Sequence, residues 1–260
     1  MLKNTGLIGF IWILGACATP LEEPVKNTPQ SEAAFALGVA AYGSAQYPTA
    51  YQYFNEAENR VPLNAVYEMH TGLALMSLER FDEAEAKLKS ACAKREEFPE
   101  CWNNLAVFYL TTKRPLEALK QTERATASKL YQTPEIALSN HARALIDLKR
   151  YAEALNDLEK AERIGQSFCQ LHLLKAKIYS RQKLYDLALQ SVNRAETLCV
   201  SNSSVHFWTA YLQQKNRRTD LAAQKLRSML ETFRDEKTVY QTKLQLSQIQ
   251  KRIPLKEPTL

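Results

Sequence analysis

A chain of 260 residues that is 45% hydrophobic and 24% charged is long enough to bury a core, and its composition excludes a disordered or fibrous protein. Seven glycines and ten prolines leave little for the turns of an all-β fold, and the wealth of Ala, Leu, Glu, Lys, Gln and Arg favours helix. The net charge of +6 is mild and spread out, without the dense basic stripe and stacking aromatics of a nucleic-acid binder.

Residues 1–16 carry one charged side chain, Lys3, and an apolar run from Leu7 to Leu14 that is short for a bilayer span. Leu14-Gly15-Ala16-Cys17 resembles the lipobox of bacterial lipoproteins. That resemblance implies a signal peptide over 1–16, cleavage before Cys17 and lipidation of Cys17; an uncleaved anchor or an ordinary secretory signal are the other readings. Ala18 follows Cys17 where Asp does not, which by resemblance to lipoprotein sorting implies the periplasmic face of the outer membrane. Several acyl chains on one cysteine anchor firmly because each buries many methylenes. Residues 17–30 are polar and proline-rich, without helical periodicity, and read as the lipidated cysteine and a flexible tether.

From residue 31 the chain repeats itself. A small residue recurs as Ala50, Ala84, Ala118, Ala154, Ala188 and Ala222, at intervals of 34, 34, 36, 34 and 34. Seven positions later stand Ala57, Ala91, Ala125, Ala161 and Ala195, then Met229. Twelve positions earlier stand Gly38, Gly72, Ala106, Ala142, Ala176 and Ala210. Tyr47, Phe81, Tyr151 and Tyr185 open the segment that holds the first series. Antiparallel helices approach closely only where small side chains face each other, so three series in step describe a helical hairpin repeated six times. A period near 34 resembles the tetratricopeptide repeat (TPR). The resemblance implies an all-α, right-handed superhelical solenoid in which each hairpin covers the apolar face of its neighbour. The repeats run over 31–64, 65–98, 99–134, 135–168, 169–202 and 203–236, and the interval of 36 places two extra residues around Leu130 to Pro134. Residues 237–260 read as a capping helix, with Val239, Tyr240, Leu244 and Ile249 laid over repeat six, and a mobile tail after Ile253-Pro254.

With Cys17 lipidated, four cysteines remain, and an exported chain meets an oxidising compartment. Repeat geometry sets Cys92 at the end of a second helix and Cys101 at the next helix start, and sets Cys169 and Cys199 at adjoining ends of one hairpin. Disulfides Cys92–Cys101 and Cys169–Cys199 are expected, four free buried thiols being the alternative. Neither pair has a histidine placed to complete a zinc site, so no metal is expected. His70, His141, His172 and His206 fall at packing positions of first helices, and no Gly-rich phosphate loop, Ser-centred elbow or His-Glu-x-x-His occurs. No catalytic residue, cofactor or small-molecule substrate is therefore expected, and the chain reads as a non-enzyme.

In TPR arrays the first helices line the concave face, through positions that step by three and four. Here repeats one to three present Phe35, Val39, Tyr42, Met69, Leu73, Met76, Asn103, Val107 and Leu110, a mainly apolar groove with adaptable methionines and rigid aromatics. Such a patch suits a helix or hydrophobic segment of a partner, with the Asn103 amide free to hold its backbone. The alternative is that these side chains only pack against neighbouring first helices. Repeats four and five turn polar and basic, with Arg143 and Lys177.

Cys101-Trp102-Asn103-Asn104-Leu105-Ala106-Val107-Phe108-Tyr109-Leu110 resembles the Asn-Asn-Tyr-Gly-x-Phe-Leu segment of the type IV pilus pilotin lipoproteins, the TPR family of PilF, PilW and Tgl. Lys129-Leu130-Tyr131 through Pro134 resembles that family's Leu-Tyr-Pro junction before repeat four. Leu105-Ala106 departs from the family's Tyr-Gly, and the two cysteine pairs depart from the pattern expected of PilW-like members. The resemblance implies a pilotin that binds the secretin subunit of the type IV pilus machinery and promotes its localisation or multimerisation in the outer membrane. A periplasmic TPR scaffold lipoprotein that recruits peptidoglycan hydrolases or synthases is the second expectation.

Overall fold

The structure, a computed structural model, describes residues 26–165 and 169–258. The expected signal peptide, Cys17 and the tether up to residue 25 lie outside the described residues. Among those described, the chain forms thirteen helices and no strand. They pair as α1 (Pro29–Gly43) with α2 (Tyr47–Arg60), α3 (Ala65–Ser77) with α4 (Phe81–Ala93), and α5 (Pro99–Thr111) with α6 (Pro115–Ala127). Then come α7 (Pro134–Asp147) with α8 (Tyr151–Ile164), α9 (Cys169–Arg181) with α10 (Tyr185–Leu198), and α11 (Ser203–Lys215) with α12 (Thr219–Thr232), before a thirteenth helix, α13 (Glu236–Gln250). No helix among the described residues is long and apolar enough to cross a membrane.

The helix starts follow local chemistry. Thr28 and Ser31 form a reciprocal capping box, so α1 opens at Pro29, two residues before the expected start of repeat one. Asn64, Asn202 and Asp235 accept backbone N–H groups at the starts of α3, α11 and α13. Pro99 and Pro134 lie in the first turns of α5 and α7, where a missing N–H costs nothing. The two extra residues of the sequence fall in the connection from 128 to 133, whose Tyr131 is buried.

One turn joins the two helices of every hairpin. Ala45, Glu79, Lys113, Lys149, Lys183 and Arg217 adopt positive φ between 56 and 62°, and the next residue donates back to a carbonyl five positions earlier, as Arg80 does to Leu75 at 3.0 Å. Arg252, at φ 58°, ends α13 the same way, with Ile253 donating to Gln248 at 2.8 Å. Helix α13 thus has the form of a first helix of a hairpin, and no further helix follows it among the described residues. Two expectations are corrected here. Tyr240 (69% exposed) and Leu244 face solvent, whereas Ile249 packs on the core as expected, joined by Leu246 and the buried Thr238 and Thr242. The tail is held in place: Leu255 is 3% exposed in the core and its N–H donates to Gln214 Oε1 at 2.7 Å.

The three small-residue series do what their spacing predicts: every alanine in them is fully buried, and Met229 nearly so. Gly38 and Gly72 mark the closest approaches. A Cβ on Gly72 would lie 2.9 Å from Leu88 Cγ and 3.3 Å from the Leu88 backbone nitrogen. Alanine gains about 1 kcal/mol of helix propensity over glycine, but forced overpacking costs about 1–3 kcal/mol. Leu88 is fully buried and cannot swing away, so strain wins. Gly72→Ala is expected to lower the melting temperature by about 2–4 °C, read by circular dichroism; a rise would refute the close-contact account.

Two large clusters of buried side chains run along the array and meet on α9. Leu171, Leu174 and Ile178 belong to the one that reaches back to α3, and Leu173 and Ala176 to the one that reaches forward through α13. Cys92 is bonded to Cys101 (Cα–Cα 5.5 Å), tying α4 to α5, and Cys169 to Cys199 (Cα–Cα 6.1 Å), closing the α9–α10 hairpin.

Candidate functional site

First helices touch their counterparts in the next repeat, α3 to α5, α5 to α7, α7 to α9 and α9 to α11, while each second helix also packs on the first helix that follows it. Elements that crowd together mark the inside of a curved array, so the first helices form its concave face.

On repeats one to three that face has a floor and a rim. Met69 (5% exposed) and Leu110 are buried in the floor. Phe35, Tyr42, Leu73, Met76 and Val107 are half-buried, and Val39 stands open at 46% exposure. Phe35 stacks among Tyr67 (4.9 Å between centroids), His70 (4.8 Å, edge-on) and Phe54 (5.6 Å). Such aromatic contacts fix its ring beyond what burial alone provides. Tyr42 shares a hydrogen bond with Ser77 Oγ at 2.9 Å, and Asn104 donates to Met69 Sδ at 3.3 Å. Leu73 and Met76 rest on the larger core cluster. All nine expected groove residues lie on first helices, but they divide between packing and presentation.

Asn103 is the exception. It is buried, and its Oδ1 accepts from Asn140 Nδ2 at 2.9 Å, while Asn140 Oδ1 faces Arg143 Nη1 at 3.5 Å. A buried amide must find partners inside the protein, so Asn103 joins repeat three to repeat four and is not poised for a partner backbone.

The basic half gains two residues that the periodic reading missed. Lys113, in the positive-φ turn after α5, and Arg181, the last residue of α9, join Arg143 and Lys177 around a cavity of about 370 Å³. Both lie beyond the register of three and four; the available signal was a basic residue at a helix C-terminus, where the dipole favours it. Burial lowers the pKa of Arg143 and of Lys177, with Asp147 opposing in both cases. Lys177 Nζ lies 3.8 Å from Asp147 Oδ1. For Arg181, burial opposes the charge, but Glu257, with Tyr151, outweighs it and the pKa is raised.

The histidines sit apart, one per hairpin. His70 contacts the Val66 carbonyl at 2.8 Å, and burial lowers its pKa. His141 Nδ1 lies 2.6 Å from Asp157 Oδ2, and Lys160 donates to Oδ1 of the same carboxylate at 3.0 Å. Carboxylates also bridge repeats, Glu58 to Lys87, Glu85 to Arg114 (2.6 Å) and Glu196 to Lys225, and Glu68 meets Lys94 (2.8 Å) within repeat two. The Arg114 hydrogen bond, assisted by Lys89, pulls Glu85 down to about 2.

Among solved structures, PilW, described as a widely conserved type IV pilus biogenesis factor, superposes with a TM-score of 0.72 at 16% identity, over 84% of this chain and 99% of that one. The fold is a tetratricopeptide-repeat solenoid. PilF of Pseudomonas aeruginosa aligns with a TM-score of 0.65 at 17% identity, over 83% of this chain and 97% of that one. A tetratricopeptide repeat protein of Parabacteroides merdae aligns with a TM-score of 0.67 at 15% identity, over 86% and 88%. Two family models also match: tetratricopeptide repeat over residues 139–199, and coatomer epsilon subunit over residues 31–144, each less than half of the chain. No curated protein sequence matches it. At these identities the superpositions speak for the TPR fold alone.

Proposed function

We propose that the chain is a lipid-anchored TPR protein on the periplasmic face of the outer membrane that acts as a pilotin, binding the secretin subunit of the type IV pilus machinery and promoting its localisation or multimerisation. It acts by binding and not by catalysis. The observation that carries this reading is the apolar concave face of repeats one to three, with Val39 open and Phe35, Tyr42 and Met76 only half covered. A groove of that character shelters a hydrophobic segment of an unassembled membrane subunit. The likeness to PilW, itself described as a pilus biogenesis factor, supports the choice of partner.

Leu73 rests on the core, so a charge there disturbs packing as well as binding. Val39→Glu is the cleaner test. A carboxylate placed in an apolar interface without a partner costs about 2 kcal/mol or more, and secretin recovery in a crosslinked pull-down from outer membranes is expected to fall at least about tenfold. The helical signal should be unchanged. Undiminished secretin recovery overturns the groove reading, and recovery of peptidoglycan enzymes without secretin would move the chain to the scaffold reading.

A further inference from the structure

Residues 251–258, which follow α13, stay on the protein. Leu255 is anchored in the core, and the chain then crosses the C-terminal ends of α11 and α9 to bring Glu257 and Pro258 into the basic cavity of repeats three to five. Glu257 Oε1 meets Arg181 Nε at 3.4 Å. Four cations face that cavity, Lys113, Arg143, Lys177 and Arg181, against two carboxylates, Asp147 and Glu257. Without Glu257 a single carboxylate would serve four cations, two of which, Arg143 and Lys177, are largely withdrawn from water. The segment is also loosely fitted: a second cavity of about 590 Å³, between it, α11 and α13, reaches Lys256, Glu257 and Pro258. A weak, long ion pair and voids on both sides describe an occupant that can be displaced.

We propose that this basic end of the groove is a docking site for an extended acidic segment of a partner protein, and that residues 253–258 fill it through Glu257 until the partner displaces them. Pro254 and Pro258 restrict the segment before it docks, which lowers the entropy lost on seating it. The site adjoins the apolar half through Leu110, which borders the cavity. One partner chain can therefore use both halves, but the inference stands on the basic end alone and does not depend on the secretin reading.

The test uses labelled hexapeptides in fluorescence anisotropy: residues 253–258 of the chain, and the same peptide with Glu257→Gln. A chain ending at Arg252 is expected to bind the native hexapeptide, and the Gln peptide about tenfold more weakly, because the Arg181 guanidinium left without its carboxylate loses a charge-assisted bond. The intact chain is expected to bind the native hexapeptide at least about tenfold more weakly than the shortened one, since a tethered competitor acts at an effective concentration on the order of millimolar. Shortening removes Leu255 from the core, so intact chain with Glu257→Lys provides a second arm. It keeps Leu255, frees the cavity, and is expected to regain binding. Equal affinity for the two peptides, or no gain from Glu257→Lys in a folded chain, overturns the proposal.

Discussion

Trp208→Ala is expected to lower stability by about 4 kcal/mol and to split the unfolding of the chain into two steps. Trp208 is 0% exposed, the bulkiest of the fully buried side chains, and stands edge-on to Tyr211 with centroids 5.6 Å apart. It sits in the cluster that binds α9 through α13 and also holds Leu255. A solenoid is held by contacts between neighbours, so a loss in one cluster passes to the other only through the element they share. That element is α9, which gives one face to each cluster. The repeats before α9 keep their own core and should melt near the temperature of the unaltered chain, with α10 to α13 melting earlier. Thermal circular dichroism at two wavelengths checks this. A single transition shifted as a whole would mean that α9 couples the halves more tightly than the packing suggests. Early melting of the C-terminal half would also lift the tail from the basic cavity, so peptide binding there should rise at temperatures between the two steps.

The repeats were legible because one physical demand recurs. A closely packed helix pair tolerates only a small side chain at its crossing point, and Ala50, Ala84, Ala118, Ala154, Ala188 and Ala222 announce that demand without any need for long-range information. Hairpin limits followed from the same register, displaced only where a cap such as Thr28 and Ser31 moved a helix start. The apolar groove was legible as a list of positions, but its depth was not. Whether Met69 is floor and Val39 is rim depends on the spacing of first helices, which no local pattern encodes. Asn103 misled because an amide reads the same whether its partner is a ligand or Asn140. The thirteenth helix misled through composition: hydrophobicity favoured Tyr240 and Leu244, but α13 packs chiefly on α12 and the residues it buries are threonines. Thr242 buries its hydroxyl by donating to its own helix at Thr238 O, 2.7 Å away, and Thr238 faces Ser203 Oγ at 3.4 Å. The sequence carries one further signal. Glu58 and Lys87, Glu85 and Arg114, and Glu196 and Lys225 each lie 29 residues apart, a second periodicity that marks carboxylates reaching across the repeat junction.

Removing the Cys169–Cys199 bond is expected to destabilise the chain by about 3.5 kcal/mol, against about 2.5 kcal/mol for Cys92–Cys101. The difference follows from the chain each bond closes, 30 residues in the first case and 9 in the second, because a longer closed loop removes more freedom from the unfolded chain. Alanine is the substitution to use, since Cys92 and Cys101 are buried and serine would leave hydroxyls among apolar neighbours. Location sharpens the prediction. The longer bond closes the hairpin of α9, the helix shared by the two clusters, so Cys169→Ala with Cys199→Ala should act chiefly on the C-terminal half. The shorter bond ties α4 to α5 beneath the apolar groove, so its loss should loosen Met69 and Leu110 with little effect beyond α9. The melting temperature of the first double variant is expected to fall by about 10 °C, and a reductant should bring the native chain down further than either pair of substitutions alone. If reductant leaves the native chain unmoved, the bonds do not carry this load. If the shorter bond proves the more costly to lose, the ordering comes from packing at α4 and α5 and not from loop closure.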